Sequence, residues 1–511
     1  MIGPLALTLG VTPFLEIGDA EKAKSMEQEM LTDLVWLVPI GVLALAAVGA
    51  ILLALLLPRI RQALVGAWVG ALHLLAAGAV VWVWLDRGFR VTMNGTVLID
   101  GLSLTLIALI GVAGALAVAL ARPVVAGTDR EGEFYAVLAA ASLASAVLVT
   151  VADIALLAIA LTLLSLMSFL MTGYLRGAER ANEASLKYYI YGTVSGAVMV
   201  YGLSWWFGLA GSTNIAVIGG VLGDAPQAAV IVSTALVFAG LAYKAALVPF
   251  HFWTPDAYDG APLPVAAYLS VLPKLAGLIA LARILPLALP GDALGWSTAV
   301  AVVAAATMTL GNLAALAQRN VVRLLAYSSI AQSGYLLMGV AALPASDQGL
   351  PALVYYAIAY AVTNRAAFSV VLAVQRERRS VDVSAFAGLG RRHPWWTVAL
   401  ILSFLSLLGL PPLAGFVGKL EVFTAAIDAG QAWLAVIAVV NTVISLFYYL
   451  RVIAPTVLEP AAPVDENDAA SPRSLPLVGA ALVSTVLTVA VGVGAEPLLE
   501  LAASSTVLPG G

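Results

Sequence analysis

Apolar stretches of membrane-crossing length follow one another almost without interruption from residue 34 to residue 499. Roughly twenty apolar residues cross the hydrocarbon core of a bilayer. On that rule the spans lie at 34–57, 62–85, 101–121, 134–152, 154–175, 186–208, 228–249, 262–285, 297–317, 322–343, 350–374, 395–425, 430–455 and 474–499. A backbone in lipid must satisfy its own polar groups, and segments this long do so as helices. The expected fold is therefore all-α integral membrane, with about 14 transmembrane helices. Composition agrees: 11% of the 511 residues are charged, against about 25% in soluble domains. The net charge of −4 gives no surface for nucleic acid, so none is expected as a partner. The absence of cysteine excludes disulfides and thiolate-held metals. His73, His251 and His393 are too far apart in sequence to suggest a metal or haem site.

The first thirty residues lack the basic start and cleavage site of a signal peptide. Glu16–Glu29 reads as a charged surface extension within 1–33. Cytoplasmic loops carry an excess of Lys and Arg. Loops after odd-numbered spans hold most of these residues, among them Arg59, Arg61, Arg122, Arg130, Arg176, Arg180, Arg319, Arg323, Arg391 and Arg392. The other side holds Lys22, Lys24, Arg87, Arg90 and Arg283. Both termini are thus expected on the outer side of a cell (inner or plasma) membrane. The segment Glu459–Arg473 reads as a solvated cytoplasmic loop before the last span.

Four cations lie more than four residues from either end of a span: Lys244, Lys274, Arg365 and Lys419. Ionisable groups at membrane depth are costly and mark ion or proton paths by default. Span 7 has Lys244 just before Pro249, and span 12, too long for one helix, has Lys419 just after Pro411-Pro412. Broken helices in corresponding positions of two halves point to an inverted repeat with its ion site between the halves. The two five-helix repeats would be spans 4–8 (134–285) and 9–13 (297–455), with spans 1–3 (34–122) before them and 456–511 after. Two ordinary proline kinks are the simpler alternative. A lysine enclosed in protein can exchange its proton near neutral pH, whereas an arginine stays charged. Snorkelling or structural pairing is the competing role, strongest for Lys419 because Glu421 is two residues away.

The run VPFHFWTPDAYDGAPLPV (248–265) resembles the subunit N family of proton-pumping NADH–quinone oxidoreductase, respiratory complex I. So do Glu183–Tyr189, Leu324–Ile330 and Gly409–Lys419, and the similarity runs in one order over about 34–460. Sister subunits L and M and the multisubunit sodium/proton antiporters share the fold but usually differ at the Trp-Thr-Pro-Asp stretch. The resemblance implies that Lys244 is the central proton-relay group, Lys274 an intermediate relay and Lys419 the cation of the exit half-channel, with His251 and Glu421 auxiliary. It implies no cofactor or metal in this chain; NADH, FMN, iron–sulfur clusters and quinone would be bound by partner subunits. The partners would be neighbouring antiporter-like and small membrane subunits, the bilayer and protons.

Four positions depart from the family. Thr162 stands where a glutamate of span 5 pairs with the lysine of span 7. Threonine can hydrogen-bond but holds no counter-charge. Gln332 replaces a histidine of span 10, and Val322 a lysine. Arg365 appears where the family is apolar, and is expected to pair with a backbone carbonyl or another subunit. The leading expectation is a proton-translocating complex I subunit with a rewired or weakened path. The alternatives are a sodium/proton antiporter subunit and a non-conducting scaffold.

Overall fold

The computed structural model describes residues 32–175, 178–460 and 474–505. The expected surface extension Glu16–Glu29 and all but the first two residues of the loop Glu459–Arg473 lie outside the described residues.

Helices α1 (Val38–Leu56), α2 (Ala63–Asp86) and α3 (Gly101–Val125) form the first three spans. A hairpin, β1 (Arg90–Thr92) and β2 (Val97–Ile99), lies between α2 and α3, and Asp33 anchors it by an ion pair to Arg90 at 2.7 Å. The helices α4 (Glu131–Val149), α5 (Ile154–Thr172), α6 (Glu179–Ala210), α7 (Ile215–Leu222) and α8 (Gln227–Ala245) follow. Next come α9 (Trp253–Gly260), α10 (Leu263–Leu269), α11 (Leu272–Ala288), α12 (Trp296–Leu316), α13 (Val321–Ala342) and α14 (Gly349–Arg378). The remaining long elements are α15 (Pro394–Leu408), α16 (Ala414–Asp428), α17 (Ala432–Leu458), α18 (Leu475–Val493) and α19 (Ala495–Ala503). Among the described residues thirteen helical segments are long and apolar enough to span. The broken pair α15–α16 supplies the further crossing expected of span 12.

The inverted repeat is written in the hydrogen bonds of two loops. Asp153 caps α5 and Asn214 caps α7, and the two cap residues form a β-bridge. Ile154 N–H donates to Thr213 and Ile215 N–H to Ala152, both at 2.9 Å. In the second half Asn320 caps α13 and bridges Asp382. There Val321 N–H donates to Val381 at 2.8 Å and Val383 N–H to Arg319 at 2.9 Å. Because successive spans alternate in direction, the two devices sit at opposite ends of the bundle. An Asx cap satisfies the orphan N–H groups of the next helix, so at each loop a side chain secures the helix start while backbone bonds beside it make the chain crossing.

Three elements differ from the sequence expectation. Span 8 is not one helix: it parts into α10 and α11 at Ser270–Val271, because Pro273 has no N–H to give the Leu269 carbonyl. The α7 segment and the α19 segment are separate short helices rather than loop and span. Arg283, expected in an outer loop, lies inside α11 and is fully buried. It forms a two-pronged ion pair with Asp100 at 2.7 and 2.8 Å and donates its Nε to the Val149 carbonyl at 3.0 Å. Asp100 simultaneously caps α3 by accepting from Ser103 N–H at 2.8 Å, which is why an acid was needed there.

The core runs through α10–α11, α13 and α14, which are buried almost throughout, while α1, α2 and α6 present much of their surface outward. All three cation-bearing breaks border this core.

Candidate functional site: three lysines solvated by hydroxyls

Lys244 lies in the last turn of α8, which ends where Ala246 turns left-handed with φ 58°. Pro249 then keeps the chain irregular until Trp253, whose indole N–H returns to the Tyr243 carbonyl at 2.8 Å. The Lys244 ammonium donates to Ser165 at 3.2 Å and to Ser168 and Tyr188 at 3.4 Å. It sits 5.6 Å from the centre of the Tyr188 ring, which stacks on Trp253.

Lys274 lies just after the break between α10 and α11 and is enclosed. It donates to Ser329 at 2.6 Å and lies 5.6 Å from the Tyr258 ring centre. Gly277 lets α11 close on α8: a Cβ there would come within 3.2 Å of Lys244 Cβ, so the first two lysine helices are in direct contact.

Lys419 lies in the second turn of α16, beyond the break that begins at Gly409 (φ 93°) and passes through Pro411-Pro412. It reaches back to the Leu408 carbonyl at 2.9 Å, donates to Thr442 at 3.3 Å and lies 4.3 Å from the Tyr335 ring centre. Helix C-termini carry partial negative charge. Lys419 is therefore seated on the C-terminal end of the first half of its broken helix, whereas Lys244, in the last turn of its own half-helix, turns to hydroxyls of α5 and α6.

All three partner sets consist of hydroxyls, ring faces and a carbonyl. No Asp or Glu among the described residues pairs with any of them. A hydroxyl accepts from an ammonium and donates to a neutral amine. Such a shell accommodates both protonation states, whereas a carboxylate favours the charged one. Hydrogen bonds to charged groups contribute about 1.5–3 kcal/mol each, which offsets part of the cost of enclosing the charge.

The other expected residues are placed as follows. Thr162 does not face Lys244. It is exposed and donates back to the Ala158 carbonyl at 2.7 Å. At about 100° per residue it lies about 60° round α5 from Ser165 and about 120° from Ser168, which take the lysine instead. His251 is buried in the first break, tilted on Phe252 with Nδ1 lacking a partner among the described residues. Glu421 is half-buried beside Tyr355 and makes no ion pair with Lys419. Val322 is packed in the first turn of α13. Gln332 accepts the Tyr356 hydroxyl and donates to the Leu407 carbonyl at 3.0 Å. Arg365 is enclosed near Tyr268 and Tyr360, and none of its three guanidinium nitrogens has a hydrogen-bond partner among the described residues. The backbone carbonyl expected to pair with it is not there.

The acids of the Trp-Thr-Pro-Asp stretch pair with side chains of α6 and α13. Asp256 takes Lys187 at 3.2 Å and Arg323 at 3.0 Å, and Asp259 accepts from Asn320 at 2.7 Å. These contacts tie α9 to α6 and α13 around an open polar cavity of about 200 Å³. The hydroxyls around the lysines were not singled out from sequence. Their signal was Ser, Thr and Tyr recurring at helical spacing inside apolar spans, as at Ser165 and Ser168 or Tyr356 and Tyr360.

Residues 151–445, spanning both broken helices, match the family described as NADH:quinone oxidoreductase/Mrp antiporter, transmembrane. The chain belongs to this family. A relative named NADH-quinone oxidoreductase subunit N 1, from Streptomyces griseus, is 40% identical over 485 residues, covering 94% of this chain and all of the relative. One from Anaeromyxobacter sp., named NADH-quinone oxidoreductase subunit N, is 38% identical over 83% of this chain and 88% of its own. Among solved structures, a chain of respiratory complex I from Thermus thermophilus with bound aureothin superposes with a TM-score of 0.77 at 31% identity, over 92% of this chain and all of that one. A chain of the Mrp complex from Dietzia sp. superposes at 0.82 with 25% identity, over 92% of this chain and 97% of its own. The family fold is thus common to both assemblies, while the named relatives of this sequence are N subunits.

Proposed function

We propose that this chain is the N-type, proton-translocating membrane subunit of an NADH–quinone oxidoreductase. It carries no redox chemistry or cofactor of its own, and quinone reduction by partner subunits drives proton transfer along Lys244, Lys274 and Lys419. The observation that carries this reading is that three enclosed lysines, each at a helix break, are solvated by hydroxyls and a backbone carbonyl and not by carboxylates. The relatives' shared name supports the assembly. Lys244 would load from the side of the Asp256 cavity, and coupling changes of about 1–3 kcal/mol from neighbouring subunits would shift the proton between lysines. His251, in the first break, and Glu421, beside the second, would tune the local field. The chain would sit in the cell membrane with both termini outside, lateral subunits and lipid covering its outward helices.

A second reading, a subunit of a multisubunit sodium/proton antiporter, is favoured by the fold likeness to the Mrp chain and by a family description that covers both assemblies. Redox-driven acidification of membrane vesicles holding the assembled complex tests the first. Lys244→Ala should lower the protons moved per electron, and an unchanged ratio would mean that this subunit is silent. Sodium-gradient-driven proton movement without any electron donor would instead support the second reading.

A further inference from the structure

The relay needs a link between Lys274 and Lys419, and the direction of each hydrogen bond at that junction is informative. Tyr360 gives its one hydroxyl proton to the Ser270 carbonyl at 2.9 Å. In its 2.7 Å contact with Ser329 it is therefore the acceptor. Lys274 in turn donates to Ser329. The donor chain runs Lys274, Ser329, Tyr360, and stops at a backbone carbonyl. Beside it, Tyr356 donates to Gln332, and Gln332 donates to the Leu407 carbonyl, so the second chain stops at a carbonyl too. A carbonyl accepts a proton's hydrogen bond but has none to pass on. No hydrogen bond among the described residues joins the two chains.

Their members nevertheless lie in register. Ser329 and Gln332 are three apart on α13, and Tyr356 and Tyr360 four apart on α14, so each pair shares a helix face. All four are buried. Tyr356 also packs against α16 next to Lys419: a Cβ on Gly418 would lie 2.4 Å from its ring.

Resting on the relay reading, we propose that Tyr356 and Tyr360 form a two-position hydroxyl switch between Lys274 and Lys419, held shut here by Gln332. In the shut arrangement each tyrosine points its proton at a dead end. In the open one Tyr360 turns from the Ser270 carbonyl to the Tyr356 oxygen, directly or across one water, and Tyr356 turns from Gln332 toward Lys419. Lys274 loses one proton and Lys419 gains one. Each hydroxyl takes a proton and gives up its own, so none is left charged. Gln332 grips the Leu407 carbonyl while Lys419 grips that of Leu408, so the amide ties the switch to the helix end on which the acceptor sits.

The test uses the assembled complex in membrane vesicles, reading protons moved per electron and passive proton leak under an imposed pH gradient. Tyr356→Phe and Tyr360→Phe should each lower the ratio to that of Lys274→Ala, and Gln332→His, which adds a titratable bridge, should restore it in the Tyr356→Phe background. Gln332→Ala should raise the passive leak severalfold by freeing Tyr356. A native ratio in both tyrosine variants, with Lys274→Ala impaired, overturns the switch and leaves the relay standing. A native ratio in Lys274→Ala overturns the relay itself. If the tyrosine variants do not assemble, Gln332→Ala decides: leak above the native level supports the switch, and native leak overturns it.

Discussion

Lys419, on the second half of a broken helix, donates to the carbonyl of Leu408, the last residue of the first half, at 2.9 Å. The contact closes the break with the cation itself. The seat depends on how closely the two halves approach, and glycine permits it: a Cβ on Gly415 would lie 1.8 Å from the Ser406 carbonyl oxygen. Gly492 of α18 packs on the same break, its Cβ position 2.3 Å from the Pro412 carbonyl.

Gly415→Ala should therefore force the halves apart, since only backbone lies in the way. Overpacking of this kind costs about 1–3 kcal/mol. The expected result is a lower thermal midpoint of the purified complex and a loss of pumping like that of Lys419→Ala. Gly196→Ala, which meets open space in α6, is the control and should leave both unchanged.

The Asp100–Arg283 pair joins the first three spans to α11 with both side chains fully enclosed. Removing one partner of a buried pair costs about 3–5 kcal/mol, whereas replacing both with apolar groups is often neutral. Arg283→Met alone should lower stability more than the double change Asp100→Asn with Arg283→Met, in which the asparagine keeps the α3 cap. A thermal-shift double-mutant cycle checks this. Additive losses would show that the two residues act separately.

Thr162 lies one turn before Ser165, the nearest hydroxyl to Lys244. A glutamate at 162 has the length to curl from the outward face toward the ammonium, supplying the counter-charge that the threonine cannot. Thr162→Glu should raise the protons moved per electron. An unchanged ratio, or loss of assembly, would mean that the hydroxyl shell already meets the lysine's needs or that a neighbour fills that face.

The membrane class, the spans and the breaks beside Lys244 and Lys419 are legible because length, hydropathy and proline act locally. The third break was missed because Pro264 and Pro273 sit in a continuous apolar run and read as one span. The repeat was legible only as a pair of lysines near prolines. Its firmest mark, the matched Asp153–Asn214 and Asn320–Asp382 bridges, joins residues about sixty positions apart, and no periodicity exposes that. Arg283 reads as a loop cation in the sequence because its acid, Asp100, is distant along the chain. The matching of Thr162 to a family glutamate was a register argument along the chain. Which side of α5 meets Lys244 is decided by packing, and packing chose Ser165 and Ser168.

The proposed relay requires that these lysines move protons and are not merely fixed charges. Lys244→Arg separates the two most directly, because arginine keeps the charge and the hydroxyl contacts but does not release its proton. In the assembled complex, Lys244→Arg should lower the protons moved per electron as far as Lys244→Ala does. A native ratio in Lys244→Arg beside an impaired Lys244→Ala would contradict it, showing that charge alone is what the site requires.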